Sequence, residues 1–135
     1  MLLEEGLQSY LSGVAGVAAL VGARIYPVAL PQEGPYPAVT YERTGGEVIH
    51  AMGQDPGLSS AAMQLTCWGA TYSSAKASAA AVRAALQNQL NVTWGGESGV
   101  VVQAAFVEGE KDDGYEPEAR LYAVSVACLV WYKEA

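Results

Sequence analysis

Pro35-Tyr36-Pro37-Ala38-Val39-Thr40-Tyr41-Glu42-Arg43, then Ala61-Ala62-Met63-Gln64-Leu65-Thr66-Cys67-Trp68-Gly69, then the Ala-rich run from Ser74 to Leu90: these pieces, in this order, decide the fold. Val39 and Tyr41 alternate with Thr40 and Glu42. Met63, Leu65 and Cys67 alternate with Gln64, Thr66 and Trp68. A period of two marks half-buried strands. The period then changes, because Ala75, Ala79, Val82, Leu86 and Leu90 recur at three- and four-residue steps. That spacing predicts a helix over Ser74 to Leu90, capped by Ser73 or Ser74. Nothing in the stretch sets a nucleophile beside a base, so it reads as scaffold.

Toward the N-terminus, Leu3, Leu7, Tyr10, Leu11, Val14, Val17, Ala18 and Val21 form one apolar stripe, with Glu4 and Glu5 in the first turn and Gly22 at the end. One amphipathic helix is predicted there. Gly13 and Gly16 each cost it about 1 kcal/mol relative to Ala, which points to close packing against a neighbour. Pro27, Pro31, Pro35 and Pro37 withhold backbone donors and hold the segment before Ala38 as an extended connector.

Gly45-Gly46 interrupts the first strand, and Glu47 to Ser60 reads as a long hairpin arm with its tip at Gln54 to Gly57. Val48, Ile49, His50, Met52, Gln54 and Asp55 on that arm are the candidate partner-contact residues. Past the long helix, Asn91 to Gly99 is turn-rich and Val100 to Glu108 is a third strand. The stretch from Glu108 to Glu118 reads as an acidic, solvated loop. Arg120 to Tyr132 is a last strand, apolar on both faces and therefore central or covered by a partner.

These elements give one α+β domain over residues 1–135, a four-stranded antiparallel or mixed sheet with two helices in the order α-β-β-α-β-β. Two helices cover one sheet face. The other, bearing Tyr122, Val124, Val126 and Val130, would be left as a large apolar patch, which implies a self-assembling, ring-forming subunit.

Composition narrows the function. A chain of 135 residues buries about two-thirds of its unfolded surface in one core. The net charge of −7 disfavours grip on a phosphate backbone. Cys67 and Cys128 lie in apolar runs without C-x-x-C spacing, as small buried hydrophobes in a reduced compartment do. Glu4 and Glu5 stand where a signal peptide needs cations, and Val14 to Val21 is too short to span a bilayer, so a soluble chain without a cleaved signal is expected.

The constellations that resemble chemistry are weak. His50 is the single histidine, and with Asp55 and Ser59 or Ser60 it lacks the strand-turn-helix elbow of a hydrolytic serine. Glu110, Asp112, Asp113 and Glu116 supply oxygens for a cation but not the spacing of a calcium loop. Neither Gly45-Gly46 nor Gly95-Gly96 precedes the Lys-Ser or Lys-Thr of a phosphate loop. Trp68, Trp94 and Trp131 would need a cationic groove to stack nucleic-acid bases, and the few cations are dispersed. No catalytic residue, metal or cofactor is expected.

The chain resembles the tail completion, or tail terminator, proteins of long-tailed bacteriophages over nearly its whole length. The resemblance is carried by the N-terminal helix and Gly22-Ala23-Arg24-Ile25-Tyr26-Pro27, by Leu30-Pro31, and by Tyr36-Pro37-Ala38-Val39-Thr40-Tyr41. It continues through Met63-Gln64-Leu65-Thr66-Cys67-Trp68 and the helix start Tyr72-Ser73-Ser74-Ala75-Lys76-Ala77. It implies a virion protein made in the host cytoplasm, forming a ring, usually hexameric, at the head-proximal end of the tail tube. There such a ring stops tube polymerisation, meets the tube and neck proteins, and passes genomic DNA without holding it. Glu47, Glu108, Glu110, Asp112, Asp113 and Glu116 are the candidates to line or rim its channel. The alternatives are another neck adaptor or tube ring subunit, and, from another class, a dimeric α+β ligand-binding module or small enzyme.

Overall fold

The computed structural model describes residues 2–22, 24–31, 35–48 and 58–133, with the backbone path alone for 47, 48 and 58. The expected arm tip lies outside the described residues. A six-stranded sheet runs β1 (Ile25–Pro27), β2 (Ala38–Val48), β3 (Leu58–Gly69), β6 (Leu121–Lys133), β5 (Val100–Glu116), β4 (Gln89–Trp94) in spatial order. β1 is parallel to β2 and every other pairing is antiparallel, so the sheet is mixed.

The expectation of four strands and two helices is therefore corrected to six strands and three helices among the described residues, and each difference has a local cause. The N-terminal stripe folds as α1 (Leu3–Gly13) and α2 (Ala15–Val21), with Val14 extended between them. The break rephases the stripe. α1 buries Leu3, Leu7 and Leu11 at four-residue steps, and α2 buries Val17 and Val21. In an unbroken helix Val17 would lie about 240° round from Leu11, off the core face. A Cβ at Gly13 or Gly16 would meet nothing within 4 Å, so the close neighbour expected there is absent among the described residues.

The proline-rich connector contributes β1, whose Ile25 to Pro27 pair with Val39 to Tyr41. Arg24 fastens this corner by donating from Nε to the Pro37 carbonyl at 2.9 Å and from a terminal nitrogen to the Leu20 carbonyl at 3.1 Å. Gly45-Gly46 does not end β2. The register shifts between Arg43 and Gly45, leaving Thr44 as an extra residue, and pairing with β3 resumes to Val48.

The long helix is α3 (Tyr72–Leu86), capped by Thr71 rather than Ser73 or Ser74: the Thr71 hydroxyl accepts from the Ser74 amide at 3.1 Å. It stops four residues short of Leu90. Asn88 adopts φ 56°, a left-handed conformation that Asn tolerates, and the chain turns into β4.

The acidic stretch from Glu108 is not a loop but the outer half of β5, paired residue by residue with β6 as far as Glu116 opposite Leu121. Register shifts leave Gln103, Glu108 and Asp113 as extra residues, one every fifth position. Each bulge bends and twists the strand, so the hairpin curls instead of lying flat.

The helices cover one face of the sheet. Val39 and Tyr41 of β2, Met63, Leu65 and Cys67 of β3, and Val124, Val126, Cys128 and Val130 of β6 are buried there. Tyr10 stacks on Trp94 with ring centroids 5.1 Å apart and planes 13° apart. Its hydroxyl donates to the Ala85 carbonyl at 2.6 Å, tying α1 to both α3 and β4. Glu4 pairs with Arg43 at 3.0 Å, and Arg43 donates to the Tyr132 hydroxyl at 3.1 Å, closing the other end of the layer.

The corner between β3 and α3 leaves no room for a side chain at Gly69, where a Cβ would stand 2.7 Å from the Ala75 amide nitrogen. Gly69→Ala is expected to lower stability by about 1 to 3 kcal/mol in denaturant unfolding. Gly109→Ala, where a Cβ meets nothing within 4 Å, should change it by less than about 0.5 kcal/mol. Equal effects would contradict this packing of the corner.

Candidate functional site

With the helices on one side, the opposite face of the sheet is the surface left for a partner, and its composition divides along the strands. At one end Thr40, Thr66 and Ser125 make it polar, and the Trp68 indole among them donates to the Thr40 hydroxyl at 3.0 Å. At the other end, Leu90 stands opposite Ala104, Ala104 opposite Trp131, Phe106 opposite Leu129, and Leu129 opposite Ala62. Leu90 is 58 %, Val101 43 % and Phe106 41 % exposed, with Leu129 and Trp131 half-buried beside them. Large aromatic and aliphatic side chains clustered on one uncovered face are the composition of an interface core.

This inverts the face expected from sequence. Tyr122, Val124, Val126 and Val130 were to be the uncovered side, but Val124, Val126 and Val130 are fully buried under the helices. The alternation along β6 was read correctly and the choice of face was not. The three helices select Val124 and Val126 because Leu65 and Cys67 of β3 pair with them on that side.

The acidic candidates fall into distinct places. Glu110 and Asp112 point toward α3: Lys76 Nζ lies 2.7 Å from Asp112 and 3.3 Å from Glu110, and Arg83 lies 3.4 Å from Glu110. The Tyr72 hydroxyl donates to Asp112 at 2.7 Å. Hydrogen bonds from Lys76, then from Tyr72, hold the Asp112 carboxyl below its ordinary range. Glu108 and Asp113 are the bulged residues of β5, with Asp113 3.6 Å from Lys111, and Glu116 is exposed opposite Leu121. Glu47 and Val48 pair through their backbones with Ser60 and Ser59. Ile49, His50, Met52, Gln54 and Asp55 lie outside the described residues.

Among the described residues the geometry offers no reactive centre. Burial first, with a nearby carboxylate second, pushes both the Cys67 and the Cys128 thiol up to about 12. Among the described residues no group of three His, Cys, Asp or Glu is placed to hold a metal ion, and no helix is long and apolar enough to cross a membrane. The sheet-face clefts are shallow, one lined by Gln64, Lys111 and Ser125 and another by Thr66, Trp68 and Tyr115.

A family model described as tail completion protein gp17 matches residues 5–133. The chain belongs to that family. It is accordingly a structural, non-enzymatic virion component of a phage-type tail. The fold agrees: a chain from the virion of a native gene transfer agent particle superposes with a TM-score of 0.70 at 22 % identity, over 97 % of this chain and 94 % of that one. No curated protein sequence matches the chain. Along the apolar sheet face, the element the sequence missed is β4. Its Leu90, assigned to the helix, stands at the exposed margin of the apolar sheet face.

The thiol environment gives a direct check. With thiols displaced to about 12, a vanishing thiolate fraction exists near pH 8, and a disulfide reagent should leave both cysteines unmodified in the folded chain. Denaturant should release both together. Prompt labelling of either in native protein would contradict its burial.

Proposed function

We propose that the chain is the tail terminator: a subunit that closes into a homo-oligomeric ring, hexameric as the family resemblance implies, at the head-proximal end of the tail tube. The observation that carries this reading is the apolar half of the sheet face, around Phe106, Leu129 and Trp131, in a chain whose family completes tails. A face of this kind needs cover in the assembled state. The sheet edges are poor candidates for joining subunits, since Thr44 on β2 and Glu108 and Asp113 on β5 are bulged and so break up a flat edge. In this reading the ring stops tube polymerisation, and its two rims meet the tube protein and the neck protein.

DNA passes the lumen without being gripped. The net charge of −7 supports this, because an acidic channel repels phosphate. Glu47, Glu108, Asp113 and Glu116 are the rim candidates. Glu110 and Asp112 add less to the field, being paired with Lys76 and Arg83. Val48, Ile49, His50, Met52, Gln54 and Asp55 remain the proposed contact segment toward tube or neighbour.

Light scattering on the purified chain, alone and with tube ends, tests the ring. The wild type should give a closed oligomer, and Trp131→Ser paired with Phe106→Ser should give a folded monomer that no longer limits tube length. A doubly substituted chain that still closes rings and caps tubes would overturn the assignment of this face.

A further inference from the structure

The outer half of β5 is held differently from the rest of the sheet. From Glu108 to Arg120 no residue is buried, so the segment adds nothing to the apolar core and rests on β6 through backbone pairing, with the half-exposed Tyr115 ring tilted against Tyr122 at 4.8 Å between centroids. Its one side-chain attachment to the helix layer is polar. Lys76 on α3 reaches both Glu110 and Asp112, Arg83 reaches Glu110, and the Tyr72 hydroxyl donates to Asp112. The Tyr72 ring also sets its edge on Tyr122, 6.1 Å between centroids, and lies 5.6 Å from the Lys76 ammonium. The bulges at Glu108 and Asp113 bracket this attachment, each followed by a glycine with open space around it.

We infer that residues 109–116 form a strap, latched to α3 by the ionic cluster around Lys76, that opens locally while the body of the domain stays folded. The physical basis is the contrast in what holds each part. Apolar burial resists salt, whereas partly exposed ion pairs lose strength as the screening length falls from about 10 Å at 0.1 M to about 3 Å at 1 M. Local opening follows where buried apolar contacts are few. When open, the strap uncovers the edge of β6 that it now pairs, giving a strand edge available during assembly and closed in the free subunit.

Acid is a poor trigger. The groups facing the latch are Tyr72, Lys76 and Arg83 from α3, Glu108, Glu110 and Asp112 from β5, and Tyr122 from β6. Because the folded carboxyl of Asp112 is depressed, its contribution is complete above the ordinary carboxylate range and is lost only as pH falls through the lowered value. Lys76 is raised by the hydrogen bond to Asp112, against a smaller opposing effect of burial, so its charge persists into strong alkali. The latch therefore responds to ionic strength and hardly to pH between about 5 and about 8.

Amide hydrogen exchange on the intact chain tests this. In Lys76→Met, and in wild type at about 1 M against about 0.05 M sodium chloride, exchange over 109–116 and its partner segment 121–127 should rise about fivefold or more, while β2 and β3 keep their protection. Lys76→Arg should restore most of the protection, and exchange corrected for its intrinsic pH dependence should match at about pH 5 and about pH 8. Unchanged exchange in Lys76→Met, or a rise spread evenly over all strands, would overturn the strap, the second because it reports global destabilisation.

Discussion

Everything in this domain depends on β6 being buried between β3 and β5 beneath the helices. Val124, Val126, Cys128 and Val130 have no exposed surface, and each lies opposite an apolar residue or the strap on its neighbours. A strand so apolar has no stable place at an edge or in solvent, so the sheet must be built around it. The long helix α3 then has a floor to lie on, α1 and α2 close over the remaining core, and among the described residues no helix remains to cover the opposite face.

That bare face connects architecture to role. In the proposed role, a subunit that joins copies of itself, a tube end and a neck needs surface that is not yet satisfied, and Phe106, Leu129 and Trp131 offer it on the sheet. The bulges work in the same direction. By breaking the regular edges of β2 and β5, they oppose uncontrolled strand pairing in the closed subunit and favour association through the sheet face.

The sequence was most legible where side-chain period and burial coincide. The alternation in Val39 to Tyr41 and Met63 to Cys67, and the stripe Ala75, Ala79, Val82 and Leu86, placed β2, β3 and α3 because one face of each is core. It was misleading where structure rests on something other than apolar burial. The outer half of β5 is a strand with no apolar face, since its helix-facing positions are Glu110 and Asp112, satisfied by cations of α3 that no local pattern announces. The end of α3 turns on the left-handed conformation of Asn88, and the break at Val14 on a phase shift that still leaves a plausible continuous stripe. The uncovered face was missed for a related reason: β6 is apolar on both sides, and only the arrangement of helices decides which side is covered.

Electron cryomicroscopy of intact virions tests the central claim most directly, because it shows both where the chain lies and what covers its sheet. The account predicts a closed ring of this chain at the head-proximal end of the tail tube, with Phe106, Leu129 and Trp131 buried against the adjoining subunit. A chain found at the distal tip or repeated along the tube, or a ring in which that sheet face looks into solvent, would contradict it.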